Sequence, residues 1–101
     1  MKWFKSGNAE IGLKEIDSKY DHRVQAEFIL KLDGKEIYTS DDLQSGMYSH
    51  YDLKDMANLA LDFIICGDFL EEDIRQELEN SIEYDFENED DQETRYYLEE
   101  I

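Results

Sequence analysis

Residues 24–38 read VQAEFILKLDGKEIY, and the architecture turns on them. Val24, Ala26, Phe28, Leu30 and Leu32 fall on one side of an extended chain, with Gln25, Glu27 and Lys31 on the other. That alternation is the period-two pattern of a half-buried strand. Asp33-Gly34 then supplies two residues that tolerate positive φ, as a two-residue type I′ hairpin turn requires. Such a turn pairs Leu32 with Lys35, Lys31 with Glu36 and Leu30 with Ile37. Phe28, Leu30 and Ile37 then share a face, and Lys31 opposite Glu36 makes a favourable cross-strand charge pair. Ile29 and Tyr38 fall on the other face, as a partly covered second side or a contact surface.

Upstream, residues 2–5 (KWFK) followed by Ser6-Gly7-Asn8 predict a first edge strand and a turn. Ala9, Ile11 and Leu13 alternate with Glu10, Gly12 and Lys14, which predicts a second strand ending in a polar loop over 17–22. Downstream, residues 40–49 hold turn residues without a clear period, with room for one short helical turn. Ser49 reads as an N-cap with Asp52 three residues on. Leu53, Met56, Ala57, Ala60, Phe63 and Ile64 then recur at helical spacing beside a polar stripe of Asp55, Asn58 and Asp62. Gly67 suits the residue after this buried helix, where positive φ is favoured.

Asp68 can cap a second helix, with Glu71 closing a capping box. Its inner stripe is Leu70, Ile74, Leu78 and Ile82; outside lie Glu72, Asp73, Glu79 and Glu83, with Arg75 alone to offset them. Ile82, Tyr84 and Phe86 alternate as a strand would, which blurs the helix end. Residues 87–91 (ENEDD) read as a loop or exposed turn. Thr94, Tyr97, Leu98 and Ile101 match helical spacing and suggest a third helix, with a strand over 95–98 as the second choice. The expected fold is α+β in a single domain spanning 1–101. An antiparallel meander of three to four strands (1–40) precedes two to three helices packed on one face (49–101).

Charge divides the chain more sharply than structure does. Residues 1–50 hold seven Lys/Arg against nine Asp/Glu, a net of −2, while residues 51–101 hold three against eighteen, a net of −15. A field of one sign destabilises its own carrier, repels nucleic acid and anionic membranes, and steers basic partners inward. Direct binding to nucleic acid or membrane is therefore not expected. One cysteine, Cys66, allows no internal disulfide, and no secretory leader or bilayer-length apolar run is present, so the reading is a cytoplasmic protein.

Signatures of chemistry are missing. There is no phosphate-binding glycine loop and no nucleophile elbow, and His22, His50 and Cys66 each stand alone. A calcium loop starting at Asp85 fails at its sixth position, Asp90, and at its twelfth, Tyr96. No catalytic residue, metal or cofactor is expected, and the chain reads as a non-enzyme.

The acidic surface itself remains. Residues 66–101 carry fifteen acids against Arg75 and Arg95, more than solubility asks for, and a basic partner is the simplest reason to tolerate such repulsion. Interleaved tyrosines suit interface anchors. The candidate partner-binding set is Glu72, Asp73, Glu79, Glu83, Asp85, Glu87, Glu89, Asp90, Asp91 and Glu93, with Tyr84, Tyr96 and Tyr97. For the aromatics, plain core packing weighs as heavily as an interface role.

Through its size, α+β organisation and the stretches LEEDIRQELE (70–79) and YDFENEDDQE (84–93), the sequence resembles two groups of small acidic inhibitors. One is the phage anti-defence proteins, including anti-CRISPR proteins that imitate DNA; the other is the immunity proteins that neutralise nuclease toxins. The resemblance implies carboxylates standing where phosphates would bind in a basic groove of a nucleic-acid-binding protein. The first expectation is an inhibitor of a bacterial defence nuclease in the host cytoplasm. Toxin immunity is the alternative, followed by a small acidic adaptor subunit. A small hydrolase or metal-dependent enzyme is the reading from another class.

Overall fold

The computed structural model describes residues 1–16, 25–44, 53–84 and 96–101. Its first half is an antiparallel meander of β1 (Lys2–Ser6), β2 (Ala9–Ile16), β3 (Gln25–Leu32) and β4 (Lys35–Gln44). Two helices follow, α1 (Leu53–Cys66) and α2 (Glu72–Ser81), and then a short strand β5 (Glu99–Glu100). The sheet order is β4-β3-β2-β1-β5, so the fold is α+β as expected. β5 returns from the C-terminal end to cover β1, pairing Phe4 with Glu100 and Lys5 with Glu99. The first strand is therefore not an edge.

The inner face of the sheet is apolar because its alternating residues are. Phe4, Ile11, Leu13, Phe28 and Leu30 meet Met56, Ala57, Ala60, Leu61 and Ile64 of α1 in one core, to which Leu78 of α2 adds. Leu30 is 0% exposed at the centre of that sheet face. Leu30→Ala should cost roughly 2 to 5 kcal/mol, read from a urea unfolding midpoint, because the lost contacts and the cavity add. Phe63 differs: at 52% exposed it is outside the core, and Leu61 takes the buried place instead. Phe63→Ala should cost less than about 1 kcal/mol, as surface truncations do.

The turn forms as its residues demand, with Asp33 at φ 53° and Gly34 at φ 80°. Leu32 pairs with Lys35 and Lys31 with Glu36, as expected. One residue later the register slips. Leu30 faces Tyr38, not Ile37, and a second irregularity sets Ala26 opposite Leu43, so β4 uses ten residues against the eight of β3. These bulges turn Tyr38 onto the inner face, where its ring lies 5.8 Å from that of Phe28. Burial of an aromatic outweighs the regular register. Residues 40–44, expected as turn or helical residues, belong to this strand.

The helix ends depart from expectation in two ways, at Asp68 and Gly67, while a third expected cap is not described. Ser49 and Asp52 lie outside the described residues, as do Val24 and the loop over 17–22. Asp68 does not cap α2: the cap position is Glu71, extended at φ −59° and ψ 147°, and no side chain bonds there. Gly67 is not among the glycines with positive φ. Its lack of a side chain leaves room for the Phe69 ring, which a Cβ there would meet.

Finally, residues 96–101 are extended, so no third helix forms among the described residues. Tyr96 and Leu98 are buried while Tyr97 and Glu99 are exposed, the two-residue alternation of a strand. The extended second choice is nearer in kind but lies C-terminal to its expected span. Ile101 N–H donates to the Trp3 carbonyl at 3.0 Å, extending the pairing with β1. A free edge on β1 wins over helical spacing.

Candidate functional site

Apolar periodicity orients α2. Leu78 is buried and Ile74 and Arg75 half-buried, leaving Glu72, Asp73, Gln76, Glu77 and Asn80 on the exposed arc. Glu72 and Asp73 occupy the first turn, where each is stabilised by roughly 0.3 to 1 kcal/mol at the positive end of the helix dipole. No base stands in the last turn. Glu79 does not join the outward arc; it is half-buried and close enough to Cys66 to act on its thiol. Glu77 takes that place, a residue that the choice of outer positions passed over although it follows the same periodicity.

The C-terminal end of α2 is held by the turn between β1 and β2. Ser6 is buried, and its hydroxyl both donates to the Glu83 carbonyl at 3.3 Å and accepts from the Glu83 N–H at 2.8 Å. Asn8 N–H donates to the Ser81 carbonyl at 3.2 Å. Between them Gly7, at φ 58°, lets the turn approach so closely that a Cβ would overlap the Ser81 carbonyl. The Glu83 backbone is thus fixed while its side chain faces solvent. Nothing local in the sequence marks Ser6 for this, since its partner lies 77 residues away.

Beyond the helix, Ile82 is extended at φ −82° and ψ 150°, and Tyr84 bridges Tyr96 in antiparallel fashion with rings 5.4 Å apart. Tyr97 N–H donates to the Glu83 carbonyl at 2.9 Å. The chain past α2 is therefore extended at Ile82 and bridged at Tyr84, but Ile82 is buried and Tyr84 exposed, so the two do not share one face as a strand's alternation would have it. Asp85, Glu87, Glu89, Asp90, Asp91 and Glu93, together with Phe86, lie outside the described residues. Their sequence sets six acids and one base, Arg95, between two anchor points that the structure brings side by side.

The two adjacent tyrosines part company. Tyr96 is 4% exposed and belongs to the core, whereas Tyr97 is 45% exposed and its hydroxyl donates to Glu99 Oε1 at 3.1 Å. Tyr84, at 41%, stays on the surface. Tyr96 positions the segment: its carbonyl accepts from Asn58 Nδ2 at 3.0 Å and its hydroxyl donates to Asp62 Oδ1 at 3.5 Å. The polar stripe of α1 is therefore where the C-terminal segment docks.

Burial, and then the Asp62 carboxylate, push the Tyr96 hydroxyl well above its ordinary value of 10.0. A group whose pKa is raised by folding stabilises fully below the unfolded value, and that contribution is lost as pH climbs through the folded one. Stability should therefore fall from about pH 10 upward, and Tyr96→Phe should flatten the fall when urea midpoints are followed from roughly pH 9 to 11. Asp62 acts on Cys66 as well. Its charge, more than desolvation, raises the exposed thiol, whose Sγ donates to Asp62 Oδ1 at 3.6 Å. Such a thiol is a poor nucleophile at neutral pH.

The sheet presents a different surface. Lys2 pairs with Glu100 at 3.3 Å and Lys14 with Glu27 at 4.0 Å, while Lys31 Nζ sits 4.8 Å from the centre of the Trp3 ring. Cations and acids alternate there, whereas the outward arc of α2 carries acids and amides alone. Among the described residues no three His, Cys, Asp or Glu side chains come together to hold a metal, and no helix is long and apolar enough to cross a membrane. Comparison with protein families, curated proteins and solved structures found no match to the chain.

Proposed function

We propose that this chain is a non-enzymatic inhibitor that covers the basic nucleic-acid-binding surface of a bacterial defence nuclease, acting in the host cytoplasm by DNA mimicry. The observation that carries the reading is the outward arc of α2, where Glu72, Asp73 and Glu77 are exposed with Glu71 and Glu83 at either end and no base among them. Carboxylates on a rigid helix can meet lysines and arginines of a groove built for phosphate, and hydrogen bonds between such ions are about twice as strong as neutral ones. The acids of 85–93 extend the same charge from the end of that helix. The sheet, whose charges are largely balanced, serves as the platform.

The test is a gel-shift and cleavage assay in which CRISPR effectors and other bacterial defence nucleases meet their DNA with and without this protein. Blocked DNA binding that weakens steeply with added salt is the expected result, since ion contacts are screened. Nuclease activity lost while DNA binding persists would show action away from the groove.

A further inference from the structure

At the corner between α1 and α2 an aromatic cluster stands open to solvent. Phe63, near the end of α1, is 52% exposed and Phe69, in the connection, 44%. Their rings lie 4.6 Å apart and are tilted by 31°. Tyr38 meets Phe69 edge-on at 5.7 Å, having been turned to this side of the sheet by the bulge in β4. Leu59, one helical turn before Phe63, is also exposed. Gly67, which has no Cβ, leaves room for the Phe69 ring where it lies. Neither phenylalanine is needed for the core.

The surroundings select the occupant. From Asp55 to Asp73 the chain has six acids and no lysine or arginine, and Asp68, Glu71 and Glu72, exposed and flanking Phe69, are three of them. A second copy of this chain, at net charge −17, would bring its own acids against them. Exposed aromatic faces on a stretch of chain rich in carboxylates suit a planar cation that stacks on a ring while its N–H groups pair with oxygen. We infer that the Phe63–Phe69–Tyr38 corner is a docking surface for an arginine-bearing segment of a basic protein partner. It rests on the reading of the partner as basic and adds an aromatic anchor apart from the 85–93 stretch. Lysine, a compact and strongly hydrated charge, satisfies the carboxylates but stacks poorly.

The probes are the peptides acetyl-GRGRGRGR-amide and its lysine counterpart, titrated into the full chain at low salt and followed by NMR. The arginine peptide should bind roughly two- to fivefold tighter, as expected for an exposed cation–π contact. It should also shift the Phe63 and Phe69 ring protons. In F63L/F69L the preference should vanish while the weak, salt-sensitive binding common to both peptides persists. Should that variant fail to fold, F63L alone and the ring shifts of the unaltered chain serve. Equal affinity for both peptides, a preference that survives F63L/F69L, or ring shifts that instead track protein concentration through self-association would each overturn the inference. The DNA-competition assay is unaffected by those outcomes, so a failure here leaves the acidic-face reading standing and the converse holds equally.

Discussion

Reversing Glu87, Glu89, Asp90 and Asp91 together to lysine should weaken binding to the basic partner by about a thousandfold or more while leaving the chain folded. At only about 1 kcal/mol for each lost charge contact, four contacts cost about 4 kcal/mol, which is close to three decades in Kd. New repulsion from four lysines facing a basic groove adds to the loss. Stability should move the other way or not at all, because the reversal relieves self-repulsion in a half of the chain with net charge −15. Calorimetric affinity together with a urea midpoint separates the two effects. Unchanged affinity would remove residues 85–93 from the interface and leave α2 as the sole acidic contact.

Gly7→Ala should be the most damaging single substitution in the turn, at roughly 2 to 6 kcal/mol. Two independent costs combine: the left-handed backbone at φ 58°, which disfavours any side chain, and the overlap of the new methyl with the Ser81 carbonyl. That backbone atom cannot move without pulling α2 from the turn. Since small domains are stable by only about 5 to 15 kcal/mol, the variant should approach global unfolding. Ser6→Ala should do less, about 1 to 3 kcal/mol, by leaving the Glu83 backbone without its hydroxyl partner. A Gly7→Ala loss below about 1 kcal/mol would mean that the end of α2 is not seated on this turn.

These two substitutions mark what the sequence could and could not convey. The hairpin was legible because Asp33-Gly34 permits one turn type and Phe28, Leu30 and Leu32 leave one face apolar. Tyr38 was not, since a bulge depends on what the extra residue gains by burial, here against Phe28 and Phe69. In α1 the near-continuous apolar run at 59–61 and 63–66 gives several stripes of equal merit, and the sheet selects the one holding Leu61 over Phe63. Tyr97, Leu98 and Ile101 satisfy helical spacing, yet Tyr96 and Leu98 satisfy strand spacing equally, and the open edge of β1 decides between them. Acid content made the candidate site visible. Which acids point outward needed the helix phase, which favours Glu77 over Glu79, and the role of Ser6 needed a partner far along the chain.

Capture from a bacterial lysate goes to the heart of the proposal. The full chain and its lysine-reversed form would be immobilised side by side, with added duplex DNA as competitor and mass spectrometry as readout. The expected result is a basic nucleic-acid-binding protein retained by the full chain, released by DNA and lost from the reversed form. A retained protein that is neutral or acidic, or one whose retention ignores both DNA and the charge reversal, would refute DNA mimicry as the function of this acidic surface.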